Sequence, residues 1–95
     1  MKVVFTRGAR IDLDEIAAWI GRDSPRAAAR QVDALIAAGE ALGRFPESFP
    51  LVGRGAIRKR PVGRYLVFYR ATDIVEILHV LHTARDWPDL LDDGA

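Results

Sequence analysis

The apolar period of this chain changes twice, and those changes confine it to folds that combine helix with sheet. A short apolar run at Val3, Val4 and Phe5 suits a first strand, after which Leu13, Ile16, Ala17 and Ile20 recur at steps of three and four, the period of one helix face. The first helix is predicted over residues 9–21. Asp23, Ser24 and Pro25 then stop and restart the chain: the Ser24 side chain offers an oxygen to exposed amides, and Pro25 at the first helical position has no N–H to leave unpaired. The second helix starts at once. Its buried stripe is read as Val32, Leu35, Ile36, Gly39 and Leu42, with Arg26, Arg30, Asp33 and Glu40 solvated, and it ends before Pro46. Helices joined by so short a link pack as an antiparallel hairpin.

The stretch from 47 to 55 is punctuated by Pro50, Gly53 and Gly55 and reads as a loop. Three strands are predicted beyond it, over residues 57–62, 65–71 and 74–82, joined by links so short that they pair antiparallel. Pro61 has no N–H for a central ladder, so the first of these strands has a free side there or ends in a bulge. On the last strand, simple alternation puts Val75, Ile77, His79 and Leu81 on one face and Glu76, Leu78, Val80 and His82 on the other. Both faces are largely apolar. Cover is therefore expected on both; the helical hairpin supplies it on only one, and the remaining exposed apolar surface is what a permanent partner would bury.

Ninety-five residues with 49% apolar and 28% charged side chains make one ordinary globular domain spanning 1–95. The absence of cysteine removes disulfides and thiolate metal sites and fits a reducing cytoplasm. The opening MKVVFTRGAR carries no signal-type apolar segment, and the run IVEILHVL, broken by Glu76 and His79, falls well short of the ~20 residues of a membrane span. A membrane role is therefore not expected. No internal repeat or low-complexity segment is visible, and the acidic stretch 89–95 reads as a tail that frays.

Charge is segregated by region. The segment RGAIRKRPVGRYLVFYR carries Arg54, Arg58, Lys59, Arg60, Arg64 and Arg70 and no carboxylate, although the whole chain is only +1. All 13 acids lie at or before Glu47 or from Asp73 onward, so local neutralisation is missing and the segment reads as a docking surface for an acidic protein segment or phosphate.

The end of that segment, with the residues beyond it, resembles the carboxy-terminal half of ParE-type toxins of the RelE/ParE superfamily. The run YLVFYR, a TD turn, and then IVEILHVLHTARD supply the pattern Ile77, Leu78, Val80, Leu81, His82, Arg85 and Asp86. Ala9, Asp12, Leu13, Ile16 and Ile20 match the family's first helix, and Leu42 and Pro46 its Leu-x-x-x-Pro hinge, so the resemblance covers residues 3–87. It implies an α+β fold: an N-terminal strand and an antiparallel helical hairpin packed on a small antiparallel β-sheet, with a short C-terminal helix.

The resemblance also implies two alternative activities. RelE-like members cleave messenger RNA in the ribosome, which requires a base, an acid and cations to stabilise the charge developing on phosphorus. ParE-like members are linked to poisoning of DNA gyrase through protein binding. For an endoribonuclease the candidates are Arg58, Arg64, Tyr69 and His82; for antitoxin or target binding they are Arg58, Arg60, Arg64, Arg70 and Arg85. Strand alternation sends Arg58 and Arg60 to one face and Lys59 to the other, so only part of the basic run converges on one phosphate. Tyr69 suits an acid or a base stacker, although strand tyrosines are more often packing. His79 and His82, three apart on a strand, point to opposite faces and cannot act as a pair. His82 is read as fixing the strand exit, Asp86 as capping a terminal helix whose first turn tolerates Pro88, and Trp19 and Trp87 as closing the core rather than stacking on bases.

Together these readings point to a cytoplasmic ParE-like toxin, neutralised by a cognate ribbon-helix-helix-type or similar acidic antitoxin, with gyrase as target and no metal or cofactor. A ribosome-dependent endoribonuclease is the alternative. Against it stand the carboxylate-free basic strand and a carboxy terminus in which residues 84–95 supply only Arg85 as a cation. The antitoxin is expected to lay an amphipathic helix beside the helical hairpin and to add a strand to an open sheet edge.

Overall fold

The computed structural model describes residues 1–84 of the chain. Its elements are β1 (Val3–Phe5), α1 (Arg7–Gly21), α2 (Pro25–Ala41), β2 (Ile57–Val62), β3 (Tyr65–Ala71) and β4 (Val75–His82). The expected C-terminal helix, Arg85, Asp86, Trp87 and the acidic tail lie outside the described residues.

α1 begins two residues before the position read from apolar spacing, because Thr6 caps it. Its hydroxyl accepts from the Ala9 N–H at 3.2 Å and reaches the carbonyls of Ile77 (2.9 Å) and Leu78 (3.2 Å), which ties the helix start to β4. Ser24 caps α2 as read, its Oγ accepting from the Ala27 N–H at 3.1 Å with Pro25 behind it. Leu35, Gly39 and Leu42 of the expected stripe are buried, and Ala28 and Ala38 join them. Gly39 is required by proximity: a Cβ there would lie 2.7 Å from the Phe5 ring, so α2 rests directly on β1.

The sheet has four strands in the order β1-β4-β3-β2. The three later strands pair antiparallel as expected, but β1 adds to β4 in parallel, so the sheet is mixed rather than antiparallel. That pairing joins residues some seventy apart and leaves no local trace in the sequence. Met1 secures it from outside, its ammonium donating to the Gly43 carbonyl at 3.0 Å. β2 is an edge strand, in keeping with Pro61. Residues 50–52 cover part of that edge: the Lys59 N–H donates to Pro50 at 3.1 Å and the Val52 N–H to Ile57 at 2.7 Å.

Simple alternation fails in β4. Phe68 pairs with His79 but Tyr69 with Ile77, so Leu78 is one residue too many and forms a bulge. Beyond it the faces exchange. Val75, Ile77 and Val80 join Leu13, Leu35, Leu42, Val67 and Tyr69 in the core beneath the helices, while Leu81 joins Ile57, Leu66 and Phe68 in a second cluster on the opposite face. The face away from the helices is covered too, as the apolar content of both faces implied, since Leu66, Phe68 and Leu81 are all buried, and it leaves little apolar surface there for a partner. Large apolar side chains are exposed elsewhere, with Trp19 at 70%, correcting its assignment to the core.

Candidate functional site

The basic segment divides into a closed half and an open half. In the closed half, Arg58 and Arg60 project from β2 toward the helix side, as alternation requires, and meet backbone carbonyls of α2 and of the segment after it. Arg58 Nη1 donates to Phe49 O at 2.8 Å and to Glu47 O at 3.4 Å. Arg60 Nη1 donates to Ala38 O at 2.7 Å, in the last turn of α2 at the negative end of its dipole, and its guanidinium lies 5.1 Å from the Phe49 ring centre. Beside them, Tyr69 is fully buried and its hydroxyl donates to Pro46 O at 2.9 Å. Burial raises the Tyr69 pKa above the usual phenol value; Arg58, a backbone hydrogen bond at Phe49 and Arg60 oppose the rise. A phenol so placed is a structural donor. Arg70 is also engaged, its Nε donating to Gly55 O at 2.6 Å.

The open half is a groove of about 650 Å³ between α1 and the hairpin end of the sheet. Its floor is apolar, from Ile16, Ile20, Tyr65 and Val80, and Trp19 stands at its rim with Arg22 stacked 5.1 Å from the indole centre. Arg64, in the β2–β3 turn, borders the groove opposite Asp12 and Glu15. It is exposed, and among the described residues its guanidinium has no hydrogen-bond partner.

His82 lies at the same end, edge-on to Tyr65 with ring centres 5.4 Å apart. Its Nδ1 accepts the Ala84 N–H at 3.1 Å, a contact that fits the tautomer with the proton on Nε2. This agrees with a role in fixing the strand exit. The register keeps the two histidines apart: His82 pairs with Tyr65 of the helix-side core, whereas His79 pairs with Phe68 of the opposite cluster and its ring reaches Asp12 of α1.

The candidate endoribonuclease set therefore falls into two groups. Arg58 and Tyr69 sit together and are held by internal bonds; Arg64 and His82 sit four β3 residues away, about 13 Å along a strand. Missing from the sequence reading was the pairing of Asp12 with His79 (Oδ2 to Nδ1, 3.0 Å) and with the Val80 N–H (2.9 Å). The available signal was a carboxylate directly beside the buried Leu13 on a helix face that packs inward. Among the described residues, no group of three or more His, Asp or Glu is placed to hold a metal ion, and no helix is long and apolar enough to cross a membrane.

Comparisons with known proteins agree with this architecture. Residues 3–87 match the family described as ParE toxin of type II toxin-antitoxin system, parDE. Y4kP of Sinorhizobium fredii, a protein assigned as a toxin, is 36% identical over 92 residues, covering 95% of this chain and 96% of its own. Among solved structures, a chain of the chromosomal ParDE system from P. aeruginosa superposes with a TM-score of 0.75 at 18% identity, over 86% of this chain and 95% of that one, which speaks to the fold. A chain of the toxin-antitoxin complex RelBE2 from Mycobacterium tuberculosis superposes with a TM-score of 0.60 at 30% identity, over 85% and 95%. By the family match over most of its length, the two-helix hairpin on a four-stranded sheet and the kinship with Y4kP, this chain belongs to the ParE toxins of type II toxin-antitoxin systems.

Proposed function

We propose that this toxin arrests growth by binding DNA gyrase in the cytoplasm, and that a cognate acidic antitoxin keeps it inactive by occupying the groove beside α1. The observation that carries the reading is the division of the basic segment. Arg58, Arg60 and Tyr69 are bound to backbone carbonyls and His82 Nδ1 is occupied by the Ala84 N–H, so among the described residues the candidate base, acid and cations do not converge on one phosphate. Among the described residues Arg64 has no partner and stands beside an apolar floor. That surface suits an amphipathic antitoxin helix, with apolar residues over Ile16, Ile20 and Val80 and a carboxylate toward Arg64. Strand addition at β2 is disfavoured: residues 50–52 already bond its edge, and Pro61 offers no donor where the outward N–H after Lys59 would fall.

The test is a supercoiling assay with purified gyrase. Inhibition by the toxin, relieved by antitoxin and retained in His82→Ala, is expected. A second reading, a ribosome-dependent endoribonuclease, is favoured by one observation: Arg64 and His82 border the same groove, in a chain 30% identical to one from a RelBE2 complex. Codon-positioned cuts in translated messages, abolished by Arg64→Ala in a folded protein, would establish that reading and overturn the first.

A further inference from the structure

The bulge in β4 decides which side chains reach the groove. Without an extra residue, strict alternation from Ile77 would carry His79 and Leu81 to the helix side and turn Val80 and His82 away, because a one-residue slip moves every later side chain to the other face. In the structure Val80 lies on the groove floor, His82 stands against Tyr65, and Leu81 packs with Leu66 and Phe68 in the opposite cluster. The groove therefore requires the bulge.

A bulge breaks the ladder and leaves backbone groups in need of other partners. Two side chains from the start of α1 meet that need. The Asp12 carboxylate accepts the Val80 N–H at 2.9 Å, and the same oxygen, Oδ2, lies 3.0 Å from His79 Nδ1. An ionised carboxylate only accepts, so His79 Nδ1 is a donor in this contact. On the other side of the bulge the Thr6 hydroxyl reaches the Leu78 carbonyl, and also that of Ile77, which accepts the Thr6 N–H at 3.0 Å. Gly8, between them, allows the close approach: a Cβ there would lie 3.3 Å from both the Leu78 carbonyl oxygen and His79 Cε1. The first two turns of α1 thus enclose the extra residue from above. Asp12 is the member whose loss leaves a backbone N–H without a partner, in a side chain only 12% exposed.

We propose that Asp12 is a positioning residue for the groove: its carboxylate holds β4 in the bulged register, and through that register it sets Val80, His82 and hence the docking surface beside Arg64. Only the biological consequence rests on the docking role proposed for the groove, since the register itself is read without any partner.

The test uses the full chain in solution, by NMR contacts between the His82 and Tyr65 rings and by hydrogen exchange at the Val80 amide. Wild type is expected to show the ring contact and a protected Val80 amide. Asp12→Asn keeps an acceptor of the same size and should retain both. Asp12→Ala should lose the ring contact and raise Val80 exchange more than tenfold. Deleting His79 in the Asp12→Ala background shortens β4 by the one residue that the bulge absorbs, lets Leu78 pair with Phe68 in its place, and should restore the contact without any carboxylate. Retention of the contact and of Val80 protection in Asp12→Ala would overturn the proposal. So would an Asp12→Ala protein that is unfolded by circular dichroism and is not recovered by the deletion, which would make Asp12 a general stability contact rather than a register device. These readouts do not involve gyrase or antitoxin, so the proposal fails or stands apart from the functional reading.

Discussion

Arg60 and Arg64 lie four residues apart in one carboxylate-free segment, and the structure gives them opposite circumstances. Arg60 points to the end of α2, where a helix carbonyl and the Phe49 ring receive it. Arg64 stands in a turn beside an apolar groove with its guanidinium unpaired among the described residues. A cationic side chain next to the carbonyls of a helix end becomes part of the fold, whereas one beside exposed apolar surface is left for a partner. Net local charge does not separate the two cases; the nearby backbone does.

That contrast can be broken at several points. Tyr69 anchors the closed half, and Tyr69→Ala removes a fully buried ring, with an expected loss of about 3–5 kcal/mol in chemical denaturation. Recovery of near wild-type stability would show that the segment after α2 does not depend on this cluster. Arg60→Ala deletes a charged hydrogen bond to Ala38 O and should cost about 1.5–3 kcal/mol, whereas Arg64→Ala should stay within about 0.5 kcal/mol of wild type. Equal losses would erase the distinction between the halves.

Tyr69→Phe probes the hydroxyl alone. It should cost about 1 kcal/mol at neutral pH, and the difference from wild type should shrink in alkali. Because burial raises the Tyr69 pKa, the folded state holds its proton more tightly than the unfolded chain. The resulting stability is complete below the ordinary phenol value near 10 and is lost as pH rises through the raised value. Denaturation curves of the two proteins should therefore converge above about pH 10; parallel curves would mean that the hydroxyl is not sequestered.

Local features were legible in the sequence where one residue determines one event. Ser24 and Pro25 mark the start of α2, Pro61 marks an edge strand, and the short turns mark the antiparallel strands. The parallel pairing of β1 with β4 was not legible, because it is decided by closure of a long loop and not by any neighbour. Nor was the bulge: Leu78, His79 and Val80 continue an alternation that reads as regular, and the cause of the break, Asp12, sits on another element. The site was legible as a charged region but not in its division, since the groups that engage Arg58, Arg60 and Tyr69 are carbonyls of Phe49, Ala38 and Pro46, which every residue type possesses. Trp19 escaped for the same reason, its exposure being a property of the groove and not of the helix pattern.

The division of the basic segment is tested most directly by measuring thermal midpoint and antitoxin affinity on the same preparations of Arg60→Gln and Arg64→Gln. Arg60→Gln is expected to lower the midpoint by roughly 5–10 °C while binding antitoxin as wild type does below it. Arg64→Gln should leave the midpoint unchanged and weaken antitoxin binding at least tenfold at low salt, with the loss diminishing as salt is raised. The same profile for both variants, or their exchange, would contradict the account.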